Sequence, residues 1–426
     1  MRQLLLEDSK MIERRSALHF LRLYRLVFFS LLFAGQSLAV SAQTLPEGLT
    51  ISGMLDLRGI ASSKTRSFED GGVGLTRFGV DRAGRQRLFA DVPVAAFMVN
   101  YRISYDLSFE SHWRADASSR ARVDAIEAFL RYAPVSTYAF KFQLRGGAFL
   151  PPISLGETAY AWTSAYNLTP AALTAWLGEE IKTIGLEGAM MWRGEDERVD
   201  ARLGLYGANE PAGASIAARG FALTDRLAGL FDPRVAVPVG YVNELRQIDD
   251  RLGLYASVTY VRPDLLTLRA VAYDNLADAK AVRAGRASWR TRFYSIGVDL
   301  SLPMEFTLMG QAMTGTTRIN PVPSFLLDVQ FDSAFLMLAK DIGRHRLSAR
   351  IEQFRVSDLN RLGPIGNDQR GHALSLAYVN WLNSDLRLTL EQLMVNSVDK
   401  RRQRRGLAER QDELQFQTSL RYYFHL

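Results

Sequence analysis

Apolar and polar residues alternate along much of this chain. In the stretch from Tyr101 to Glu110, Tyr101, Ile103, Tyr105, Leu107 and Phe109 interleave with Arg102, Ser104, Asp106, Ser108 and Glu110. A period of two places the two sets on opposite faces of a β-strand. The split recurs in "YAFKFQLRGG", where Tyr138, Phe140, Phe142 and Leu144 oppose Lys141, Gln143 and Arg145. It recurs again where Leu386, Leu388 and Leu390 oppose Arg387, Thr389 and Glu391. At the C-terminus Leu414, Phe416, Leu420, Tyr422 and Phe424 share one face, with Gln415, Gln417 and Arg421 on the other. Many of these runs reach nine to twelve residues. Sandwich strands are usually shorter, whereas a tilted strand crossing a bilayer has this length. The pattern predicts an all-β chain with one face of each strand in lipid and the other in water.

The connections sharpen that prediction. Short ones at 133–137, 193–197, 262–264, 302–304, 341–345 and 382–385 alternate with long ones at 148–180, 208–250, 276–290, 317–327, 358–370 and 397–411. Transmembrane barrels have this asymmetry, with short turns at one rim and long loops at the other. Fifteen strands are read directly: 49–60, 95–110, 122–133, 138–148, 181–193, 199–207, 251–261, 265–275, 291–302, 304–317, 328–340, 345–357, 371–381, 385–396 and 412–426. A chain that begins and ends on one side needs an even number, and "VGLTRFGVD" (73–81) is the best candidate for the sixteenth. The expected fold is a transmembrane antiparallel β-barrel of sixteen strands, a size that leaves an aqueous channel. Its last strand pairs with its first, so no edge is left open.

Composition removes several alternatives. There is no cysteine, which excludes disulfides, a thiol nucleophile and Cys-based metal sites. Near the start, Arg22 and Arg25 precede the apolar run Leu26 to Gly35, and Val40-Ser41-Ala42 suits cleavage before Gln43. Residues 1–42 are therefore expected to be a signal peptide, with 43–426 as the barrel and Met11 as an alternative start. The formal net charge is +7, and removing that peptide leaves +4, too little to argue for nucleic acid. The histidines His112, His345, His372 and His425 are scattered without metal-ligand spacing, and no metal or cofactor is expected. "KRRQRR" (Lys400 to Arg405) offers a basic loop, either for lipopolysaccharide phosphates and anionic solutes or simply solvated. Leu223, Leu227 and Leu230 in "FALTDRLAGLF" (221–231) have helical spacing.

Within this pattern "IEAFLRYAP" and "FKFQLRGGAFLPPISLGE", between Ile126 and Glu157, resemble Gram-negative outer-membrane porins, and more specifically the phosphate-selective porin O and P group. The resemblance implies a homotrimeric barrel, in contact with outer-membrane lipid and lipopolysaccharide, whose third extracellular loop folds inward to narrow the pore. Candidate pore-lining residues are Arg102, Asp106, Glu110, Glu127, Arg131, Lys141 and Arg145, and the loop 148–180 brings Glu157, Glu179 and Glu180 as constriction charges. A short helix capped by Thr169 with Pro170 at its first position fits that loop. The ending Tyr422, Phe424, Leu426 resembles the terminal assembly signal of barrel proteins, with Leu where Phe is usual. The expected function is passive diffusion of small hydrophilic solutes across the outer membrane. The mixed signs of the inward charges orient polar solutes without a strong preference for anions. The competing readings are a substrate-specific or structural barrel with a closed lumen and an outer-membrane enzyme, for which the sequence selects no catalytic pairing.

Overall fold

Sixteen antiparallel strands close on themselves in a computed structural model. The structure describes residues 46–62, 65–80, 84, 92–116, 121–178, 181–208, 210–232, 234–236, 241–243, 245, 247–360 and 366–426; the expected signal peptide lies outside them. The strands are β1 (Leu49–Ser62), β2 (Val92–Arg102), β3 (Leu107–Asp116), β4 (Val123–Tyr132), β5 (Phe140–Phe149), β6 (Thr183–Arg193), β7 (Arg198–Gly207) and β8 (Gly253–Arg262). They continue with β9 (Leu266–Asp274), β10 (Arg290–Leu302), β11 (Phe306–Val322), β12 (Phe325–Ile342), β13 (His345–Asp358), β14 (Gln369–Trp381), β15 (Leu386–Asp399) and β16 (Arg410–His425). Each pairs with its sequence neighbours, and β16 returns to β1 with Ser52 opposite His425 and Ser62 opposite Gln415.

Burial separates the faces as the alternation predicts. On β16 Leu414, Phe416 and Tyr422 are exposed on the lipid side, while Gln415, Gln417, Ser419 and Arg421 are buried inside. Phe424 closes the seam by lying over Gly53, its register partner. A Cβ on Gly53 would stand 2.1 Å from the Phe424 ring, so the glycine makes room for the aromatic.

The strand count agrees with expectation, but the sixteenth strand is not where it was expected. The run 95–110 is two strands, β2 and β3, joined by a turn at 103–106. Ser104 Oγ accepts from Asp106 N at 3.4 Å and Leu107 N at 3.1 Å, a serine turn that needs neither glycine nor proline. The turn has an even number of residues, so the alternation passes through it in phase and the sequence reads as one long strand. Residues 73–80 are not a barrel strand. They fold inward, burying Leu75, Phe78 and Val80, and pair as isolated bridges, Arg66 to Val80, Ser67 to Gly74 and Thr76 to Leu223, while Glu413 of β16 accepts from Leu75 N at 2.8 Å.

Two further expectations are corrected. The connection 317–327 is no loop: β11 and β12 continue to Val322 and Phe325, so that the two strands rise past their neighbours. The segment 221–231 is irregular rather than helical; the helix, α1 (Pro211–Arg219), precedes it. Leu223 N donates to Leu75 O at 2.8 Å and Arg77 N to Leu223 O at 3.2 Å, so an extended partner satisfies backbone that a short helix would have satisfied alone.

Candidate pore site

The long connections determine what the barrel encloses. Loop 3 (150–182) leaves β5 and hydrogen-bonds inward-facing side chains on the opposite wall. Gln311 of β11 donates to Ile153 O at 2.8 Å and accepts from Leu155 N at 3.0 Å. Arg269 of β9 donates to Ser154 O at 2.6 Å. Further along, Glu391 of β15 accepts from Leu168 N at 2.7 Å and Thr169 Oγ1 at 2.5 Å, and Glu352 of β13 accepts from Ala172 N at 2.6 Å. The expected helix is a single turn, Thr174–Gly178 preceded by Ala172 and Leu173. Its free N–H groups meet wall carboxylates, and the Thr169 hydroxyl is committed to Glu391 instead of capping.

Loop 4 (208–252) occupies the same level. Pro211 opens α1 and Glu210 caps it, accepting from Gly213 N at 3.0 Å. Trp289 Nε1, Tyr273 OH and Asn275 Nδ2 also donate to Glu210, whose carboxyl is pushed up by burial despite these bonds. Downstream, Asp225 accepts from Arg58 of β1 at 2.5 Å and from Arg77 of loop 1 (63–91) at 2.9 Å, with Arg114 of β3 at 3.5 Å. Burial raises the Asp225 carboxyl, but the three guanidiniums outweigh it and hold the group well below the usual carboxylate range. Gly229 then passes against Asp124 of β4, where a Cβ would lie 1.9 Å from the carboxyl carbon. Between these polar anchors Phe149, Ile153, Leu173, Leu177, Ile216 and Phe221 form one apolar cluster with Phe293, Phe331, Phe335 and Phe354 of the wall.

Towards the short-turn rim loop 3 touches the inner wall at Arg269 through Ser154 O and at Arg346 through Ala165 O. Arg131, Lys141, Gln143, Asp200, Arg202, Arg269, Asp299, Asp341 and Arg346 are half-buried there. The lumen thus has a vestibule of mixed charge below a level packed with loop residues.

The predicted site residues divide between these levels. Glu110, Arg131, Glu127, Lys141 and Arg145 all face inward. Arg131 donates to Glu110 at 2.9 Å. Glu127 contacts His112 Nδ1 at 2.7 Å and accepts from Leu150 N at 2.6 Å. Arg145 is absorbed by Glu187 at 2.8 Å and lies 4.1 Å over the Phe149 ring. Arg102 is exposed at the end of β2, and Asp106 is in the turn, where it accepts from Val135 N at 3.3 Å. Glu157 is buried in loop 3 with Ser154 donating to it at 2.6 Å, and burial pushes its carboxyl up. Glu179 and Glu180 lie outside the described residues. In the basic run, Arg401 is buried against Asp399 at 2.8 Å and Arg402 against Ser397 at 2.8 Å, so those two charges turn inward rather than to solvent. Among the described residues no group of three or more His, Asp or Glu is placed to hold a metal ion.

Sequence reasoning missed Asp225, Glu352 and Glu391 as anchors. Glu391 had been placed on the polar face, but its partners lie 222 and 223 residues away.

No family model matches the chain, and no curated protein matches it. Solved structures do. The loop L8 deletion mutant of OmpT, an outer membrane protein of Vibrio cholerae, superposes with a TM-score of 0.51 at 11% identity, over 89% of this chain and 100% of that one. The anion-selective porin from Comamonas acidovorans gives 0.52 at 12%, over 88% and 99%. The outer membrane channel DcaP of Acinetobacter baumannii gives 0.52 at 8%, over 89% and 98%. At these identities the likeness is one of fold, and that fold is the sixteen-strand β-barrel of outer-membrane porins.

Proposed function

We propose that this chain is an outer-membrane channel that passes small hydrophilic solutes by diffusion, with loops 3 and 4 setting its width. The observation that carries this reading is the charged vestibule: half-buried Arg, Lys and Asp side chains lining the barrel below the loops. Water and fixed charge lower the cost of moving a polar solute through a bilayer, and no catalysis is required. The family resemblance implies assembly as a homotrimer, and the run Leu26 to Gly35 followed by Val40-Ser41-Ala42 supports cleavage of residues 1–42.

The finer reading is an anion preference of the phosphate-selective kind. It is supported by Lys141, which faces the vestibule without a carboxylate partner among the described residues. The continuous apolar cluster between loops and wall favours a second reading, a barrel whose lumen stays closed until a ligand or partner displaces the loops.

Single-channel recording in planar bilayers separates the two. Stepwise conductance from purified protein is expected; a silent bilayer supports the closed barrel instead. In a salt gradient, Lys141→Glu is expected to move the reversal potential towards cation preference, and Arg145→Glu to move it less, because Arg145 is buried against Leu150 O and the Phe149 ring, away from the vestibule.

A further inference from the structure

The outer faces of β13 and β14 change character over a few residues. From the long-loop end β13 presents Arg355, Gln353, Ile351, Ala349 and Leu347, and β14 presents Arg370, His372, Leu374, Leu376 and Tyr378. The register sets these against one another in that order, Arg355 opposite Arg370, Gln353 opposite His372, and Ile351 opposite Leu374. Both arginines are exposed, and neither has an ion-pair partner among the described residues. Asp332, the register partner of Arg355 on β12, accepts from Thr314 at 2.7 Å and forms no ion pair with either arginine. Like charges directly opposed across an antiparallel pair destabilise a sheet, and an anion held between them reverses the sign.

An apolar groove starts just below the pair. It has a volume of about 620 Å³ and is lined by Ala334, Leu336, Ile351 and Leu374, with Gln353, His372 and Asp412 at its polar end. A second groove of about 490 Å³ continues down the same strands past Leu347, Ala349, Leu376 and Tyr378. Ala334 and Ala349 create the depression, because the leucines and isoleucine around them stand further out. From His372 to Tyr378 is about 20 Å of strand, which at a tilt of roughly 40° is about 15 Å of depth, the hydrocarbon thickness of one leaflet.

We propose that this face binds a phosphorylated, multiply acylated glycolipid of the outer leaflet, of the lipid A type. Its phosphate bridges Arg355 and Arg370, its sugar meets Gln353 and His372, and its acyl chains lie in the two grooves. The assignment rests on the reading of the chain as an outer-membrane barrel with its long loops outside, which puts the arginine end in the outer leaflet. It moves the lipopolysaccharide contact away from "KRRQRR", where Arg401 and Arg402 are turned inward.

Native mass spectrometry of the refolded full-length chain, titrated with bisphosphorylated hexa-acyl lipid A, tests this. Retained lipid is expected for the wild type, with at least a tenfold loss of affinity in Arg355→Glu/Arg370→Glu and a similar loss in Ala349→Trp, which fills the groove and keeps the charges. Millimolar inorganic phosphate should not displace the lipid. Equal binding by the wild type and both variants overturns the proposal. So does displacement by phosphate alone, which marks a bare anion site, or a changed oligomeric state in the variants, which marks a contact between copies. Arg355→Gln/Arg370→Gln keeps the test decisive if charge reversal blocks folding. Conductance is read on the same samples. Lipid binding without conductance defeats the channel reading, whereas conductance with unselective lipid binding defeats this one.

Discussion

Asp225 shows how much one side chain holds in this barrel. It joins loop 4 to β1, β3 and loop 1 through Arg58, Arg114 and Arg77, all nearly inaccessible to water. Without it the three guanidiniums share only Asp56 and Asp116, and such a buried excess of positive charge costs up to about 3–5 kcal/mol. Asp225→Ala is therefore expected to lower the denaturant midpoint of the refolded protein and to expose loop 4 to proteases. The pH dependence has a definite sign. The folded-state pKa of Asp225 is depressed, so its stabilisation is complete above the unfolded carboxylate value of about 4 and fades as pH falls below it. The acid limb of the stability profile should flatten in Asp225→Asn; an unchanged limb means that the cluster does not couple to folding. None of this was legible in the sequence, because the arginines lie 167, 148 and 111 positions from the aspartate. Which face each residue occupies was legible, since Gln415, Gln417 and Arg421 point inward as their parity requires.

At the level of elements, loop 3 is held by the wall rather than by its own secondary structure. Its helical segments, Tyr160–Trp162 and 172–178, are far below the length at which an isolated helix is stable in water. Glu352 and Glu391 accept its free N–H groups, and charge-assisted bonds of this kind are worth about 1.5–3 kcal/mol each. The double variant Glu352→Gln/Glu391→Gln keeps the side-chain shape and removes the charges. It is expected to increase the conductance of single channels and their current noise while the barrel still folds; wild-type traces would show that these carboxylates do not hold the loop. The element-level reading failed where period two carried no information. The turn at 103–106 preserves parity, and residues 73–80 alternate enough to mimic a strand while their apolar members serve an interior. The helical spacing of Leu223, Leu227 and Leu230 lost to pairing with loop 1.

For the molecule as a whole, the closed sheet and its strand number followed from alternation and connection length, because lipid on one side and the lumen on the other constrain every strand alike. The filling of the lumen did not follow. Phe331, Phe335 and Phe354 face inward where a purely aqueous pore would carry polar groups, and their partners come from loops with no period to read. The seam between β16 and β1 carries a consequence for chain connectivity. Leu426 N donates to Ile51 O at 2.7 Å and Ile51 N to Leu426 O at 3.2 Å, so this junction is bonded like any other neighbouring pair. Only the peptide link is missing there, and Gly48 lies about 10 Å of strand beyond Ile51. A circular permutant that joins Leu426 to Gly48 by a short linker, and starts anew between Gly343 and Arg344, should refold in detergent with the same heat-dependent gel mobility and conductance. Failure to refold would mean that the order of synthesis, and not the ring of pairings, determines how the barrel closes. In its pairing this sheet has neither a beginning nor an end.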